Sequence, residues 1–180
     1  MASIKTAIFG SAFNPPHCGH LDVIEQALAE FDQVVVVPSF QHAFGKTMAP
    51  FNVRLGMAEA LIKGMPSVSV SDIEVHIAKQ KPGEPIYTYD VMCALEALHP
   101  NWAMQFVVGP DNADPEVWQK FYQHKAIDER WGRWPAKERK HIRSTAIREA
   151  LARGEVIPSG TCPSAVAEIY TRYLKARDDD

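Results

Sequence analysis

Cysteine is scarce: Cys18, Cys93 and Cys162 are an odd number at wide, irregular spacing. That pattern excludes a disulfide framework and fits a reducing, cytoplasmic setting. Long apolar runs are missing as well. None approaches the roughly 18 residues of a membrane span, and MASIKTAIFG is too short in apolar residues for a secretory signal. Positive charge is not in excess, since 19 Lys and Arg stand against 22 Asp and Glu, a formal −3 at pH 7. No global basic field speaks for nucleic acid or an anionic membrane, so any cation that meets an anionic ligand must be a local one. Internal repeats and low-complexity tracts are also lacking. What remains, 46% hydrophobic and 23% charged in 180 residues, is the make-up of one ordinary globular domain. That domain is expected over residues 1–177, with 178–180 as a frayed acidic tail, because acidic residues oppose a helix C-terminus.

The periodicity predicts alternating strands and helices. Strands are expected at residues 5–9, at 33–38, where VVVV suits a parallel strand covered on both faces, and at 102–108. A further strand is read over 68–76, bent near Asp72. Helices are expected at 19–30, 51–64, 88–99 with Thr88 as N-cap, 114–123, 144–153 and 164–176. Strand and helix in alternation mean an α/β fold with a mainly parallel sheet, whose ligands sit outside the carboxyl ends of the strands. The stretches GSAFNPPHCGH, PSFQHAFGK and GPDN each follow a predicted strand, so three unusual loops converge on that edge.

The first of these stretches places His17 and His20 three apart, behind Pro15 and Pro16 and beside Gly19. A plain structural turn would explain two locally bonded histidines. A metal site has the residue types in His17, Cys18 and His20, yet no second cluster stands at finger-like spacing. A Cys18 nucleophile lacks an evident base and orienting group. Phosphate binding uses everything present. Gly10 allows a tight turn, the prolines stiffen the loop, Gly19 admits close approach, and the helix start offers free N–H groups and a positive dipole end. Both imidazoles then lie on one side of the first turn and can donate to one phosphate.

Gly10-x-x-Phe13-x-Pro15-x-His17-x-Gly19-His20 resembles the HxGH signature of the nucleotidyltransferases, and more narrowly of the nicotinate/nicotinamide mononucleotide adenylyltransferases. Ile142-Arg143-Ser144-Thr145-Ala146-Ile147-Arg148 resembles that family's ISSTxIR element, with Arg143 in place of the first serine. Unaided, that segment reads as a helix capped by Ser144 or Thr145 whose N-terminus holds phosphate, with Arg148 one turn in. Three weaker matches lie between. His42 and Lys46 resemble a loop carrying a basic residue, Ile86-Tyr87-Thr88 resembles an SYT element, and Gly109-Pro110-Asp111-Asn112 with Trp118 resembles the GxD and tryptophan region. Lys46 as a solvated side chain, Thr88 as a cap only and Trp118 as a core residue are the plain alternatives. One departure is the short segment 113–141, where Ile127 to Pro135 is polar for a central strand and leaves a fifth strand, and the reach of Arg130 or Arg133, open.

The resemblance spans about residues 4–174. It implies a single doubly wound, Rossmann-like nucleotidyltransferase domain with C-terminal helices, and an adenylyltransferase of NAD biosynthesis. The implied reaction moves AMP from ATP to nicotinate or nicotinamide mononucleotide and releases pyrophosphate. The attacking phosphate is already ionised, so positioning and charge stabilisation suffice without a general base. Mg²⁺ would ride mainly on substrate oxygens, with no metal ligands supplied by the protein. His17, His20, Lys46 and Arg148 are the implied catalytic groups. Gly10, Ser11, Phe13, Gly19, Gly109, Asp111, Ser144 and Thr145 would bind ATP, and Asn14, His42, Tyr87, Thr88 and Trp118 the mononucleotide. Acid or amide preference and a homo-oligomeric state stay open. The rivals are a phosphopantetheine adenylyltransferase, an alcohol-phosphate cytidylyltransferase, whose RTEGISTT pattern IRSTAIR does not fit, and a catalytically silent nucleotide-binding regulator.

Overall fold

The computed structural model describes residues 2–41 and 47–180. Its sheet has five parallel strands in the order β3-β2-β1-β4-β5. They are β1 (Ile4–Ser11), β2 (Gln33–Pro38), β3 (Val68–Val70), β4 (Trp102–Val108) and β5 (Arg133–Pro135). The order reverses between β1 and β4, which opens a crevice at their carboxyl ends. Strand periodicity divides the core between the two faces. Ala7, Phe9, Val34, Val36 and Val107 pack on one side with residues of α1 (Cys18–Leu28), α2 (Phe51–Leu61), α7 (Ser144–Ala152) and α8 (Ser164–Asp178). Ile8, Val35, Val37, Phe106 and Val108 pack on the other with α3 (Ile73–Gln80), α4 (Thr88–Leu98), α5 (Pro115–Trp118) and α6 (His124–Arg130). The VVVV run is β-branched on both sides because both sides are covered.

The structure corrects several expectations. Only Val68–Val70 of the segment 68–76 is strand, and α3 follows. Ile73, Val75 and Ile77 alternate like a strand, yet Ile73 and Ile77 also stand one helical turn apart, and burying both against the second core decides for helix. The segment 114–123 is not one helix. It forms the short α5 and then a turn in which Gln123 is left-handed at φ 57°, before α6 begins. A fifth strand exists. It pairs with β4 at the sheet edge, Phe106 with Arg133 and Val108 with Pro135, where one polar face and a proline are tolerated. α8 runs through Asp178, so the tail starts later than expected, and Lys175 and Arg177 in its last turn favour that C-terminus. No helix of the described residues is long and apolar enough to cross a membrane.

Candidate active site

Gly10 does not make the turn expected of it. It lies inside β1 opposite Val37, and a Cβ there would meet only ordinary contacts at 3.7 and 3.8 Å. The chain reverses at Phe13, which adopts φ 49°, a conformation a bulky residue takes only when its surroundings demand it. The demand is visible: Phe13 is buried, edge-on to Phe9 at 5.4 Å and 4.8 Å from the His20 ring. His17 is the N-cap of α1. Its Nδ1 accepts from the Gly19 amide at 3.0 Å, while the His17 amide donates to His20 Nδ1 at 3.1 Å. The two imidazoles thus form a reciprocal capping box, a role usually filled by Ser or Thr with Glu. Because each Nδ1 is an acceptor, each ring carries its hydrogen on Nε2 and presents that N–H as a donor. The rings lie 3.9 Å apart. Burial, helped by nearby Arg143, lowers the His17 pKa to about 4, and burial followed by the His17 charge holds His20 well below its ordinary value. At neutral pH this is a pair of uncharged donors. Gly19 is required for it, since a Cβ would stand 2.8 Å from His17 Cε1.

The start of α7 closes on the same loop. Three consecutive carbonyls of the proline-rich turn receive donors from the distant C-terminal part. Asn14 O accepts from Arg148 Nη1 at 2.8 Å, Pro15 O from Ser144 Oγ at 2.8 Å, and Pro16 O from Cys162 Sγ at 3.6 Å. Arg148 Nη2 also donates to Thr145 Oγ1. Arg143, not Ser144 or Thr145, is the N-cap of α7, so the two hydroxyls sit in the first turn and Ser144 bonds across to the loop instead. Arg143 itself pairs with Glu138 at 2.7 Å. Two helix N-termini, two imidazoles and the Arg148 guanidinium therefore surround the end of β1, a ready anion site.

The sequence profile of the cytidylyltransferase-like family matches residues 8–150. A Myxococcus xanthus (strain DK1622) protein named "Probable nicotinate-nucleotide adenylyltransferase" is 35% identical over 94% of this chain and 93% of its own. The chain belongs to the nicotinate-nucleotide adenylyltransferases of the cytidylyltransferase-like family. Among solved structures, a candidate nicotinate-nucleotide adenylyltransferase from Vibrio parahaemolyticus superposes with a TM-score of 0.78 at 37% identity, over 94% of this chain and 99% of that one. The Plasmodium falciparum nicotinic acid mononucleotide adenylyltransferase complexed with NaAD shares the fold, with a TM-score of 0.69 at 19% identity, over 94% and 96% of the two chains.

The remaining predicted positions divide. Ser11 ends β1, and Gly109 caps a 3-10 turn, Pro110–Asn112, at the end of β4, both on the crevice edge. His42, Lys46 and the side chain of Asp111 lie outside the described residues. Asn14 is buried with its side-chain oxygen taken by the Ala49 amide, so it fastens the approach to α2. Tyr87 rather than Thr88 is the N-cap of α4, and its amide donates to Asp90. Trp118 is 2% exposed, its indole N–H donates to Asp128, and Arg133 lies over its ring at 4.5 Å, so in this conformation it is a core side chain. Among the described residues, exposed aromatic surface is offered by Tyr87 and Tyr122, whose ring centroids lie 4.6 Å apart with the planes tilted by 30°. Beside the end of β4 a cavity of about 300 Å³ is lined by Val108, Ala113, Asp128, Gly132, Arg133 and Pro135. Arg133 reaches it, whereas Arg130 pairs with Glu96 of α4.

Sequence reasoning missed Arg54. Only 1% exposed, it donates to the carbonyls of Ala49, Ala12, Ser39 and Phe40 and so ties the loops after β1 and β2 together. An arginine in the apolar stripe with Met57, Ala58 and Leu61 was the signal. Glu74 supports it from α3 by accepting from the Phe40 amide, and burial raises its pKa to about 7.

Proposed function

We propose that this chain transfers AMP from ATP to nicotinate mononucleotide, forming nicotinate adenine dinucleotide and pyrophosphate in NAD biosynthesis. A phosphate oxygen of the mononucleotide bonds to the α-phosphorus as the bond from that phosphorus to the pyrophosphate oxygen breaks. The supporting observation is the junction of the two helix starts on the carbonyls of Asn14 and Pro15, with the His17–His20 pair on one side and Arg148 on the other. His17 and His20 hold the triphosphate through their Nε2–H groups and stabilise charge growing at the reacting phosphorus. Arg148, with Lys46, neutralises the outer phosphates, Thr145 donates its hydroxyl to them, and Ser144 holds the loop at the α7 start in place. Asp111 takes a ribose hydroxyl, and the α4 start at Tyr87 and Thr88, with the exposed Tyr122 ring, receives the pyridine. The cavity beside β4 suits a flat ring rather than a phosphate, because the cation among its lining residues, Arg133, is already paired with Asp128.

Among the described residues no three His, Cys, Asp or Glu side chains gather as metal ligands. Mg²⁺ enters with the ATP substrate, carried mainly on its phosphate oxygens. A reducing, cytoplasmic setting is supported by three free thiols, of which burial pushes Cys162 up to about 12. The acid form of the mononucleotide is favoured by the names of the relatives. One incubation tests the whole reading. ATP and Mg²⁺ with each mononucleotide in turn, followed by mass analysis, should give dinucleotide and pyrophosphate, faster with nicotinate. Turnover only with phosphopantetheine, or only of CTP with an alcohol phosphate, assigns a sister reaction; ATP binding without turnover assigns a silent regulator.

A further inference from the structure

Asp22 and Gln26 stand at successive turns of one face of α1, and Glu30, just past the helix end, continues that stripe. The chain between β5 and α7 lies along that stripe in the opposite direction. The Trp134 indole N–H donates to the Glu30 carboxylate. One turn on, Gln26 grips both backbone groups of Lys137: the Lys137 amide donates to Oε1 at 3.0 Å, and Nε2 donates to the Lys137 carbonyl at 2.9 Å. At the next turn Arg139 forks onto the buried Asp22, Nε to Oδ2 at 2.9 Å and Nη2 to Oδ1 at 2.6 Å. Gln26 Nε2 also donates to Asp22 at 2.9 Å, so these two rungs are coupled. At the head of α1, Ile142 lies against Gly19, and Ser144 and Arg148 then reach the Pro15 and Asn14 carbonyls.

Residues 136–143 form neither helix nor strand, so the place where α7 begins is not fixed by an element of their own. The ladder ties them to α1 instead. A side-chain amide that satisfies both the N–H and the C=O of one residue excludes a slip by one residue, which turns the donor and acceptor away, and the Arg139 fork on Asp22 selects among the registers that remain. We infer that Asp22 and Gln26 are positioning residues for adenylyl transfer: they set the register of the 136–143 strap, so that the α7 start and Arg148 meet the phosphates held by His17 and His20. The inference rests on the adenylyl-transfer reading. Neither residue belongs to the HxGH element, and the pyridine end of the site, at α4, lies on the opposite face of the sheet.

ATP titrated alone into the intact protein, followed by calorimetry, tests the register without requiring turnover. Steady-state kinetics for both substrates are measured alongside. Two variants release the ladder: Gln26→Ala from α1, and Arg139→Gln from the half-exposed strap side, which spares the folded core. Each should weaken ATP binding by about 10-fold, within the range that misplacement of a site causes, and leave the mononucleotide KM within about twofold. In a double-mutant cycle, Gln26→Ala added to Arg148→Ala should cost only about twofold more, because both act through the same placement. Unchanged ATP affinity in both folded variants, equal losses for both substrates, or losses that multiply in the double variant would each overturn the assignment. If the wild-type protein binds ATP but turns over no mononucleotide, the function reading fails, while the ATP cycle still decides whether the ladder sets the register.

Discussion

Two buried groups that titrate in opposite directions make the pH dependence of stability a sharp test. His17 is lowered from 6.5 to about 4, so between those values the unfolded chain binds more protons than the folded one. Its contribution is fully present above pH 6.5 and is lost as pH falls toward 4. From pH 7 down to 4.5 the linkage integral amounts to about 2 kcal/mol. Glu74 is raised from 4.5 to about 7, so the folded protein holds that proton longer and loses stability as pH rises through the same window, again by about 2 to 3 kcal/mol. In the wild type these two slopes largely cancel, with His20 adding to the His17 side. Single substitutions expose them. His17→Asn keeps an oxygen to accept from the Gly19 amide, as an N-cap should, but does not titrate. Glu74→Gln keeps an acceptor for the Phe40 amide. Urea unfolding at half-unit steps from pH 4.5 to 7 should give two difference curves. Wild type minus His17→Asn should rise by about 2 kcal/mol toward pH 7, and wild type minus Glu74→Gln should fall by a similar amount. Two flat curves, two of the same sign, or a His17 imidazole that titrates near 6.5 by NMR would refute the reading of the site as an uncharged donor pair.

Other perturbations follow from the same contacts. Gly19→Ala places a methyl group inside 3 Å of the His17 ring; kcat/KM for ATP should fall by about 10²-fold or more while the helix content by circular dichroism is kept. His20→Ala removes one preorganised donor and should cost about 10²- to 10³-fold in kcat in a protein that still folds. Arg54→Met leaves the carbonyls of Ala49, Ala12, Ser39 and Phe40 without their buried donor, and urea unfolding should show a loss of about 3 kcal/mol or more. Tyr122→Ala should raise the KM for the mononucleotide several-fold with the ATP KM unchanged, whereas Trp118→Phe should lower stability by about 1 kcal/mol through the lost bond to Asp128 and leave both KM values near wild type.

What could be read from the sequence follows from how far each feature depends on local chain geometry. Strands β1, β2 and β4 were legible because apolar residues cover two faces over five or more positions, and the loops after them because proline, glycine and histidine cluster there. The run IEVHIAKQ satisfies both a period of two and a helical turn, so only the packing of Ile73 and Ile77 against the second face separates the two. The segment 113–141 left a fifth strand open because that strand is three residues long at the edge and takes its stability from pairing with Phe106 to Val108, which no local pattern reveals. That the two imidazoles stand together at a helix start was legible, but not their protonation. His17 and His20 are neutral because Phe13, Phe9 and the arriving Arg143 surround them, and those contacts come from β1, the turn and residues more than 120 positions downstream. The proposed anion site is therefore a product of assembly. Its histidines donate through Nε2 only while the Gly19 and His17 amides occupy both Nδ1 atoms, and the helix start that supplies those amides is the same one that would hold the phosphate. A chain that had the two histidines in a flexible loop would carry charge at acidic pH and lose orientation. Capping the helix with them exchanges that charge for a fixed donor direction.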